Sequence, residues 1–378
     1  MARVRFGDVV KEVKINIDRK TDDHEFFIAG EHMESENIHI TKKGRFANSD
    51  VGPAFIRLFK PGQVLYGSRR TYLKKVAVAD FEGITSNTTF VLETKDPKIM
   101  LQELLPFIML TDSFTAYAVK NSKGSTNPYI LFSDLAAYEF ELPDIEEQKR
   151  LVTKLLACDR VKEAYKKQIQ ATEDLVKSQF IEMFADEAKR VRLDELCLHF
   201  GDGDWIESKD QSEEGIRLLQ TGNVGNGEYK DKDDKARYIS EETFIRLGCT
   251  EVFPGDILIS RLPDPIGRAC IVPEMPKSIT AVDCTIVRLK ADVLSTFFVN
   301  FTKTPIYTMQ IDSFTTGSTR KRISRANLGS VMVPVPDLAR QERFVSIAEQ
   351  SDKSKFELQE AIVRIDNLIK SLIQQDTE

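Results

Sequence analysis

A heptad repeat along Asp144–Phe184 limits what this chain can fold into more than any other feature of its sequence. Mostly apolar residues recur there at steps of four and three, the spacing that keeps one narrow stripe of a helix, here called the seam, facing a partner helix. Pro143 precedes the stretch, and Asp144 can cap the helix, with Glu147 completing a capping box. The predicted seam positions are Leu151, Leu155, Cys158, Lys162, Tyr165, Ile169, Thr172, Val176, Gln179 and Met183.

The same design returns 193 positions later, where Pro336-Asp337 corresponds to Pro143-Asp144. Between residues 124–150 and 317–343, nine of the 27 aligned positions are identical. The chain is therefore a duplication in which each half ends in a long helix. The second seam is predicted at Phe344, Ala348, Ser351, Lys355, Leu358, Ile362, Ile365, Ile369 and Leu372.

The two halves diverge most between Asp18–Arg57 and Gly203–Arg246. Two similar scaffolds with different surfaces suggest two related binding sites that recognise different targets. The net charge of −6 argues mildly against nucleic acid as the ligand, but basic residues cluster without acids in Lys60–Lys75 and in Gly317–Arg325. The local charge is therefore a better guide to whether the ligand is a nucleic acid than the net charge of the chain.

Composition places the chain among ordinary soluble proteins, with 41% hydrophobic and 30% charged residues. No window approaches 18 apolar residues, and the start has no signal-peptide core, so we expect no membrane partner and a cytoplasmic location. The five cysteines have no paired spacing, which favours buried thiols over disulfides or a metal site.

Three repeated marks give the chain a resemblance to the specificity (S) subunit of bacterial Type I restriction-modification enzymes. They are the Pro-Gly turns at Pro61–Leu65 and Pro254–Leu258, the two Gly-Ser-Thr loops, and the Pro-Asp-x-x-x-Gln-x-Arg start of each helix. The resemblance implies an α+β fold. Two tandem target-recognition domains, each α/β with a mixed sheet, would be separated by two long helices that form an antiparallel coiled coil. The implied limits are 1–143 and 186–336 for the domains, and 144–185 and 337–378 for the helices.

The resemblance also implies a function. The chain would be a non-catalytic subunit that binds double-stranded DNA, each domain reading one half of a bipartite asymmetric site. The coiled coil would hold the half-sites about one helical turn, roughly 34 Å, apart. Its partners would be two methyltransferase (M) subunits and restriction/translocase (R) subunits, and S-adenosylmethionine, ATP and magnesium would bind to those partners.

Basic and amide side chains in the turns and loops are the candidate DNA contacts, since such groups suit phosphates and base edges. A basic cluster is more often solvated surface, but both halves place candidates in equivalent loops. Trp205 and Tyr229 are expected to pack rather than to stack on bases. The resemblance adds Gln220 and Asn223, since the glycine-asparagine stretch around them is similar to one that family members often carry in the recognition domain. The candidates are Arg69, Arg70, Lys74, Lys75, Lys123, Ser125, Thr126, Asn127, Gln220, Asn223, Arg261, Arg268, Ser318, Thr319, Arg320, Lys321 and Arg322.

Apolar residues outside the seams form a second stripe on the helices, where we expect the methyltransferase subunits to dock. Its members are Val161, Leu175, Phe180, Phe356, Val363 and Leu368.

Three sequences imitate catalytic motifs. Asn127-Pro128-Tyr129 lacks the second proline of an amino-methyltransferase motif, and no glycine-rich cofactor strand accompanies it. Pro143-Asp144 with Glu147 and Lys149 imitates a nuclease site, but helix capping explains it. The histidines have no ligand spacing, so we expect no catalytic residue and no metal.

Two other functions stay open. A coiled-coil scaffold whose globular ends bind proteins would suit the net negative charge, and a steep salt dependence of DNA affinity would argue against it. A self-sufficient restriction or methylation enzyme is disfavoured by the absence of cofactor and metal motifs.

Overall fold

The computed structural model describes residues 2–19, 21, 23–317 and 321–377, without the side chains of residues 375–377. The chain forms two compact units. Unit 1 is Met1–Tyr165 with Gln359–Glu378, and unit 2 is Lys166–Leu358. This division cuts both long helices, whereas the domain limits predicted from the sequence keep each helix whole.

Unit 1 contains two four-stranded sheets and a two-stranded ribbon. The order β2-β9-β6-β7 is antiparallel throughout, the order β4-β3-β8-β5 includes the parallel pair β3–β8, and β1 pairs with β10. The strands are β1 Ala2–Arg5, β2 Val10–Glu12, β3 Phe26–Ile28, β4 Gly44–Arg45, β5 Phe55–Phe59, β6 Val64–Gly67, β7 Val76–Val78, β8 Gly83–Ser86, β9 Thr89–Thr94 and β10 Glu139–Leu142. The helices of this half are α1 Phe6–Val9, α2 Leu105–Met109, α3 Asp112–Lys120, α4 Phe132–Leu135 and the long α5 Ile145–Phe184.

Unit 2 repeats this plan among its described residues, with three strands instead of four in its mixed sheet. The order β12-β18-β15-β16 is antiparallel, β14-β13-β17 includes the parallel pair β13–β17, and β11 pairs with β19. The strands are β11 Arg190–Arg192, β12 Cys197–Asp202, β13 Ile216–Leu219, β14 Tyr238–Ile239, β15 Ile257–Ser260, β16 Ala269–Ile271, β17 Ser278–Thr280, β18 Cys284–Leu289 and β19 Met332–Pro334. The helices are α6 Glu241–Leu247, α7 Ser295–Phe301, α8 Pro305–Phe314, α9 Arg325–Gly329 and the long α10 Leu338–Thr377.

The two Pro-Gly sequences form the same turn before β6 and β15. Gly62 has φ +86° and Gly255 has φ +88°, a conformation that glycine adopts without strain. The Gln63 N–H donates to the Lys60 carbonyl at 3.2 Å, which closes a β-turn with proline and then glycine at its centre. The duplication therefore extends to backbone geometry.

The start of each long helix is held by a buried glutamine. The Gln148 amide donates to the carbonyls of Ile99 and Pro143, both at 2.8 Å, and its oxygen accepts the Leu101 N–H at 2.9 Å. Gln341 makes the counterpart bonds, each 193 positions later, with Asp292, Pro336 and Leu294. These bonds explain why the helix-start motif contains glutamine.

The predicted cap of the first helix is present. The Asp144 carboxylate accepts the N–H groups of Glu146 and Glu147, both at 3.0 Å, and these bonds hold the Asp144 pKa below its usual value. At the second helix, Asp337 accepts the Arg340 N–H at 2.9 Å. Each aspartate therefore satisfies N–H groups that have no partner within the helix.

The seams pack helix against helix in both units. In unit 1, Lys162 donates to Asp366 at 2.5 Å. In unit 2, Lys355 lies 3.7 Å from Glu173. The residue numbers of these two pairs differ by 193, so one polar contact is built twice. The Met183 carbonyl also accepts from Arg340 at 2.8 Å. Residue numbers rise along α5 as they fall along α10, so the helices pack antiparallel as predicted.

One member of the predicted docking stripe, Phe180, is not on the surface. Its ring is fully buried and packs against Phe297 and Phe344, with both ring centroids 5.1 Å away. The prediction that it is exposed was wrong because a heptad pattern describes only a partner helix, and here α7 covers the same side of α5. The other five stripe residues are exposed: Val161, Leu175, Phe356, Val363 and Leu368.

Within the described residues, no helix is both long enough and apolar enough to cross a membrane. All five cysteines are free thiols, and three of them, Cys249, Cys270 and Cys284, are buried.

Candidate nucleic-acid interface

Unit 1 brings two separately predicted clusters into one surface. The Arg70 N–H donates to the Pro128 carbonyl at 2.7 Å, and Arg69 forms an antiparallel β-bridge with Tyr129. The segment after β6 and the loop before α4 therefore lie side by side. We call the surface made by residues 69–72 and 123–129 the unit 1 loop surface.

The loop of this surface is a small hairpin. Lys123 and Tyr129 exchange both backbone hydrogen bonds, at 2.7 and 2.9 Å, and Gly124 has φ +86°. The hairpin holds Ser125, Thr126 and Asn127 exposed to solvent. Hydroxyl, amide and backbone N–H groups held this way suit phosphate oxygens.

Arginine and tyrosine side chains surround the hairpin. Arg69 and Arg70 are exposed, and Arg70 adopts the left-handed backbone conformation with φ +51°. Tyr72 is 54% exposed and Tyr129 is 41% exposed. Neither tyrosine was a sequence candidate, although both lie within or beside the basic clusters. Aromatic faces among cations can stack on bases or sugars as well as contact phosphates.

Two lysines predicted to contact DNA are engaged inside unit 1 instead. The Lys74 ammonium lies 2.5 Å from Asp112 and 2.9 Å from Glu36, and its side chain is only 14% exposed. Burial lowers the Lys74 pKa, but the hydrogen bonds to the two carboxylates outweigh it and leave the pKa raised. Lys75 donates to the Gly30 carbonyl. These two predictions are not supported.

Lys123 remains on the surface, although it forms an ion pair with Asp134 at 2.9 Å. Its side chain is half exposed, so the ammonium can still face a ligand.

Unit 2 contains the matching hairpin 193 positions later. Thr316 and Arg322 exchange both backbone hydrogen bonds, at 3.1 and 3.0 Å, and Gly317 has φ +105°. Lys321 and Arg322 are exposed. Three candidates of this loop, Ser318, Thr319 and Arg320, lie outside the described residues. The Ile323 N–H donates to the Arg261 carbonyl at 3.3 Å, so the hairpin adjoins the segment after β15.

Both arginines predicted as DNA contacts in this segment are structural. Arg268 donates to four main-chain carbonyls at 2.7 to 3.0 Å, those of Val224, Leu262, Pro265 and Thr221. Its burial lowers the guanidinium pKa. Arg261 is buried and donates to the Val282 carbonyl at 2.6 Å. Arg268 is the counterpart of Lys75, so the equivalent cation holds a loop in both units.

Asn223 is also structural, because it is buried and bonds to main-chain groups. Its oxygen accepts the Gln220 N–H and its amide donates to the Lys230 carbonyl, both at 2.9 Å. Gln220 is partly exposed beside it.

Sequence reasoning missed two exposed residues of unit 2. Trp205 was expected to pack, but it is 72% exposed. Arg325 is exposed at the start of α9, 3.7 Å from Asp202, which also lies 3.5 Å from Arg261. Trp205 follows β12 closely, so it belongs to the same region of unit 2. Tyr229 packs partly buried against a core cluster, as expected.

Within the described residues, no group of three or more His, Cys, Asp and Glu side chains could hold a metal ion. The loops present cations, hydroxyls, amides and aromatic rings, which are groups that proteins use to contact nucleic acids.

A family model described as Type I restriction modification DNA specificity domain matches residues 18–172 and again residues 185–364. The chain belongs to this family. The two matched segments cover most of the 378 residues, and the repeated match agrees with the duplication. The resemblance drawn from the sequence is confirmed, and so is the predicted fold of two α+β domains and two long helices.

A curated relative, the Type I restriction enzyme EcoDI specificity subunit of Escherichia coli, is 30% identical over 97 residues. The match covers 26% of this chain and spans about a fifth, 21%, of that protein.

A solved chain from work on complex assembly and conformational transition of the type I R-M system has the same fold, with a TM-score of 0.57 at 20% identity. The alignment covers 99% of this chain and 97% of that one. The HsdS subunit from Thermoanaerobacter tengcongensis aligns over 99% and 96%, with a TM-score of 0.42 at 18% identity. A Type I S subunit from M. genitalium aligns over 98% and 95%, with a TM-score of 0.49 at 16% identity.

Proposed function

We propose that this chain is the non-catalytic DNA-specificity subunit of a Type I restriction-modification complex. Each recognition domain reads one half of a bipartite asymmetric site. One observation carries this proposal: the two units share one loop backbone, here called the loop frame, and carry different side chains on it. The Lys123–Tyr129 and Thr316–Arg322 hairpins share their hydrogen bonds and their glycine.

The residues on the two frames differ in chemistry. Unit 1 has Arg69-Arg70 beside its hairpin, and the corresponding positions of unit 2 are Leu262-Pro263. The hairpin itself ends in Tyr129 in unit 1 and in Arg322 in unit 2. A common frame gives both domains the same approach to DNA, and different side chains test different bases. The two half-sites therefore differ in sequence.

Affinity comes from local rather than total charge. The chain carries a net charge of −6, so binding depends on the few exposed cations of the loops, among them Arg69, Arg70 and Arg322. These cations neutralise phosphates and release counterions, while amide and hydroxyl groups approach base edges.

The helices supply spacing and partner contacts. The antiparallel pairing sets the distance between the half-sites at about one turn of DNA, roughly 34 Å. Two methyltransferase subunits dock on the exposed stripe of Val161, Leu175, Phe356, Val363 and Leu368, and restriction/translocase subunits join them. S-adenosylmethionine, ATP and magnesium bind to these partners. DNA recognition takes place in the cytoplasm.

Salt dependence of DNA affinity tests the role of the loops. We would measure the dissociation constant of random-sequence duplexes by fluorescence anisotropy between low and moderate salt. The matched variants are R69A/R70A and R150A/K98A, which remove the same charge. Lys98 lies in the turn after β9 and Arg150 in the first turns of α5, and the Ile99–Gln148 hydrogen bond joins these two segments.

The loop variant should flatten the plot of log affinity against log salt by about 1.8, or about 0.9 for each phosphate that is no longer neutralised. The R150A/K98A variant should keep the wild-type slope. Equal slopes in all three proteins would contradict the assignment of this surface. A salt-independent or undetectable DNA affinity in the wild type would instead favour a protein-binding scaffold.

A further inference from the structure

Unit 1 contains a cavity of about 260 Å³ where its recognition domain meets the paired helices. Its apolar wall includes Phe107, Leu110 and Ile373, and its charged wall includes Asp159 and Asp366. Pockets for drug-sized ligands usually measure about 300–1,000 Å³, so this cavity suits a smaller group that has both an apolar and a charged part.

The duplication supplies a counterpart for each wall residue. Leu110 corresponds to Lys303 of unit 2. The Leu110 N–H donates to Phe107 and the Lys303 N–H donates to Asn300, both at 3.2 Å. The next residue in each unit is a threonine whose hydroxyl donates at 2.8 Å to the carbonyl three residues earlier. Leu110 and Lys303 therefore occupy the same backbone position.

In unit 2 this position is filled by an alkylammonium group. The Lys303 ammonium donates to the Asn300 side chain at 3.3 Å, and the Lys303 chain lies so close to Gly227 that a Cβ there would collide with it. Burial lowers the Lys303 pKa; the charges of Asp352 and Glu173 oppose that shift, and the charge of Lys355 adds to it. The lysine chain thus lies against unit 2 beside Asn300 and Gly227.

The same acids exist in unit 1 without the lysine. Asp352 and Glu173 correspond to Asp159 and Asp366, and Leu110 is shorter and uncharged. Two wall residues also differ in size: Ile373 stands where unit 2 has the larger Phe180, and Phe107 stands where unit 2 has the smaller Asn300.

Cations of unit 1 balance part of the charge around the cavity. Asp159 lies 2.7 Å from His39, and Asp366 lies 2.5 Å from Lys162. Lys74 forms ion pairs with Glu36 and Asp112, two acids that line the cavity. Lys370 also lines the cavity. Four carboxylates line the cavity, against the three ammonium groups of Lys74, Lys162 and Lys370, so the carboxylates outnumber the ammonium groups by one.

We propose that the cavity of unit 1 binds a primary alkylammonium group, the group that Lys303 supplies within unit 2. The group comes from a free aliphatic amine or from a lysine side chain of a partner protein. The binding site itself does not depend on the proposed function, and only the partner arm of the test rests on it.

The first arm titrates n-butylammonium into the full chain by calorimetry, with n-butanol as the uncharged control. Wild type should bind the amine at one site, more tightly than the alcohol. The L110K variant should weaken binding by about tenfold, the factor of about 1.4 kcal/mol, because its own ammonium takes the site. V119K, which adds a lysine at an exposed position of α3, should bind as wild type does.

A reciprocal variant guards against misfolding of L110K. K303L removes the internal ammonium of unit 2, so it should bind a second equivalent of amine. Thermal unfolding of each variant shows whether it folds.

The second arm adds the methyltransferase subunit. If a partner lysine is the source, L110K should weaken the complex about tenfold and n-butylammonium should compete with the partner. If a free amine is the source, amine binding should be unchanged in the complex. The proposal is overturned if the amine binds no better than the alcohol and L110K leaves the complex unchanged.

Discussion

Replacing Gln148 with alanine should destabilise unit 1 specifically. The side chain is fully buried and makes three hydrogen bonds that join the start of α5 to the main chain at Ile99, Leu101 and Pro143. Alanine cannot make any of them, and it leaves two carbonyls and one N–H without that partner.

The expected loss follows from those three bonds. At about 1 kcal/mol for each bond, the free energy of unfolding should fall by about 3 kcal/mol. For a unit of this size, each kcal/mol corresponds to about 2–4 °C, so the melting temperature should fall by about 6–12 °C. Gln341 remains in place, so unit 2 should keep its stability.

Hydrogen exchange read by mass spectrometry distinguishes the two units. In Q148A, amides in the first turns of α5 should exchange faster, whereas those in the first turns of α10 should not. The control is Q359A, since Gln359 is an exposed glutamine of the same unit. If Q148A is no less stable than Q359A, the hydrogen bonds of Gln148 do not stabilise the helix start and the reasoning is wrong.

Two further predictions follow from single contacts. F180A should lower the unfolding free energy by about 3–5 kcal/mol because it empties a packed aromatic site, whereas L175A at an exposed position should change it by less than about 0.5 kcal/mol; equal effects in chemical denaturation would refute the burial of Phe180. The hydrogen bond from Lys74 holds the Asp112 pKa below its usual value, so this carboxylate contributes stability above about pH 3.9 that is lost as the pH falls through its lower folded pKa. D112N should therefore unfold with a shallower acid limb than wild type, and an unchanged pH profile would contradict this.

The sequence was sufficient to predict the framework of this molecule. The offset of 193 residues predicted two similar units, and the heptad pattern predicted both long helices and their seams. These features depend on local or periodic sequence patterns, so they can be predicted without knowing how the elements pack. The buried glutamine at the start of each long helix could also have been predicted, since Gln148 and Gln341 occupy the same position after Pro-Asp.

Side-chain direction could not be predicted in the same way. Arg268, Asn223 and Lys74 have the chemistry of DNA contacts, but they bond to carbonyls or carboxylates of their own unit. A basic or amide residue in a loop serves either purpose, and only the path of the neighbouring chain decides between them. Phe180 shows the same limit for apolar residues, because its partner α7 is far away in sequence.

Methylome sequencing after a domain exchange is the decisive test of bipartite recognition. The chain would be co-expressed with its methyltransferase subunit, and residues 1–143 would be replaced by the corresponding segment of another family member. We expect a split methylated motif in which one half changes while the other half and the gap stay the same. An intact, folded exchange protein that leaves the motif unchanged, or that changes both halves, would contradict bipartite recognition by this chain.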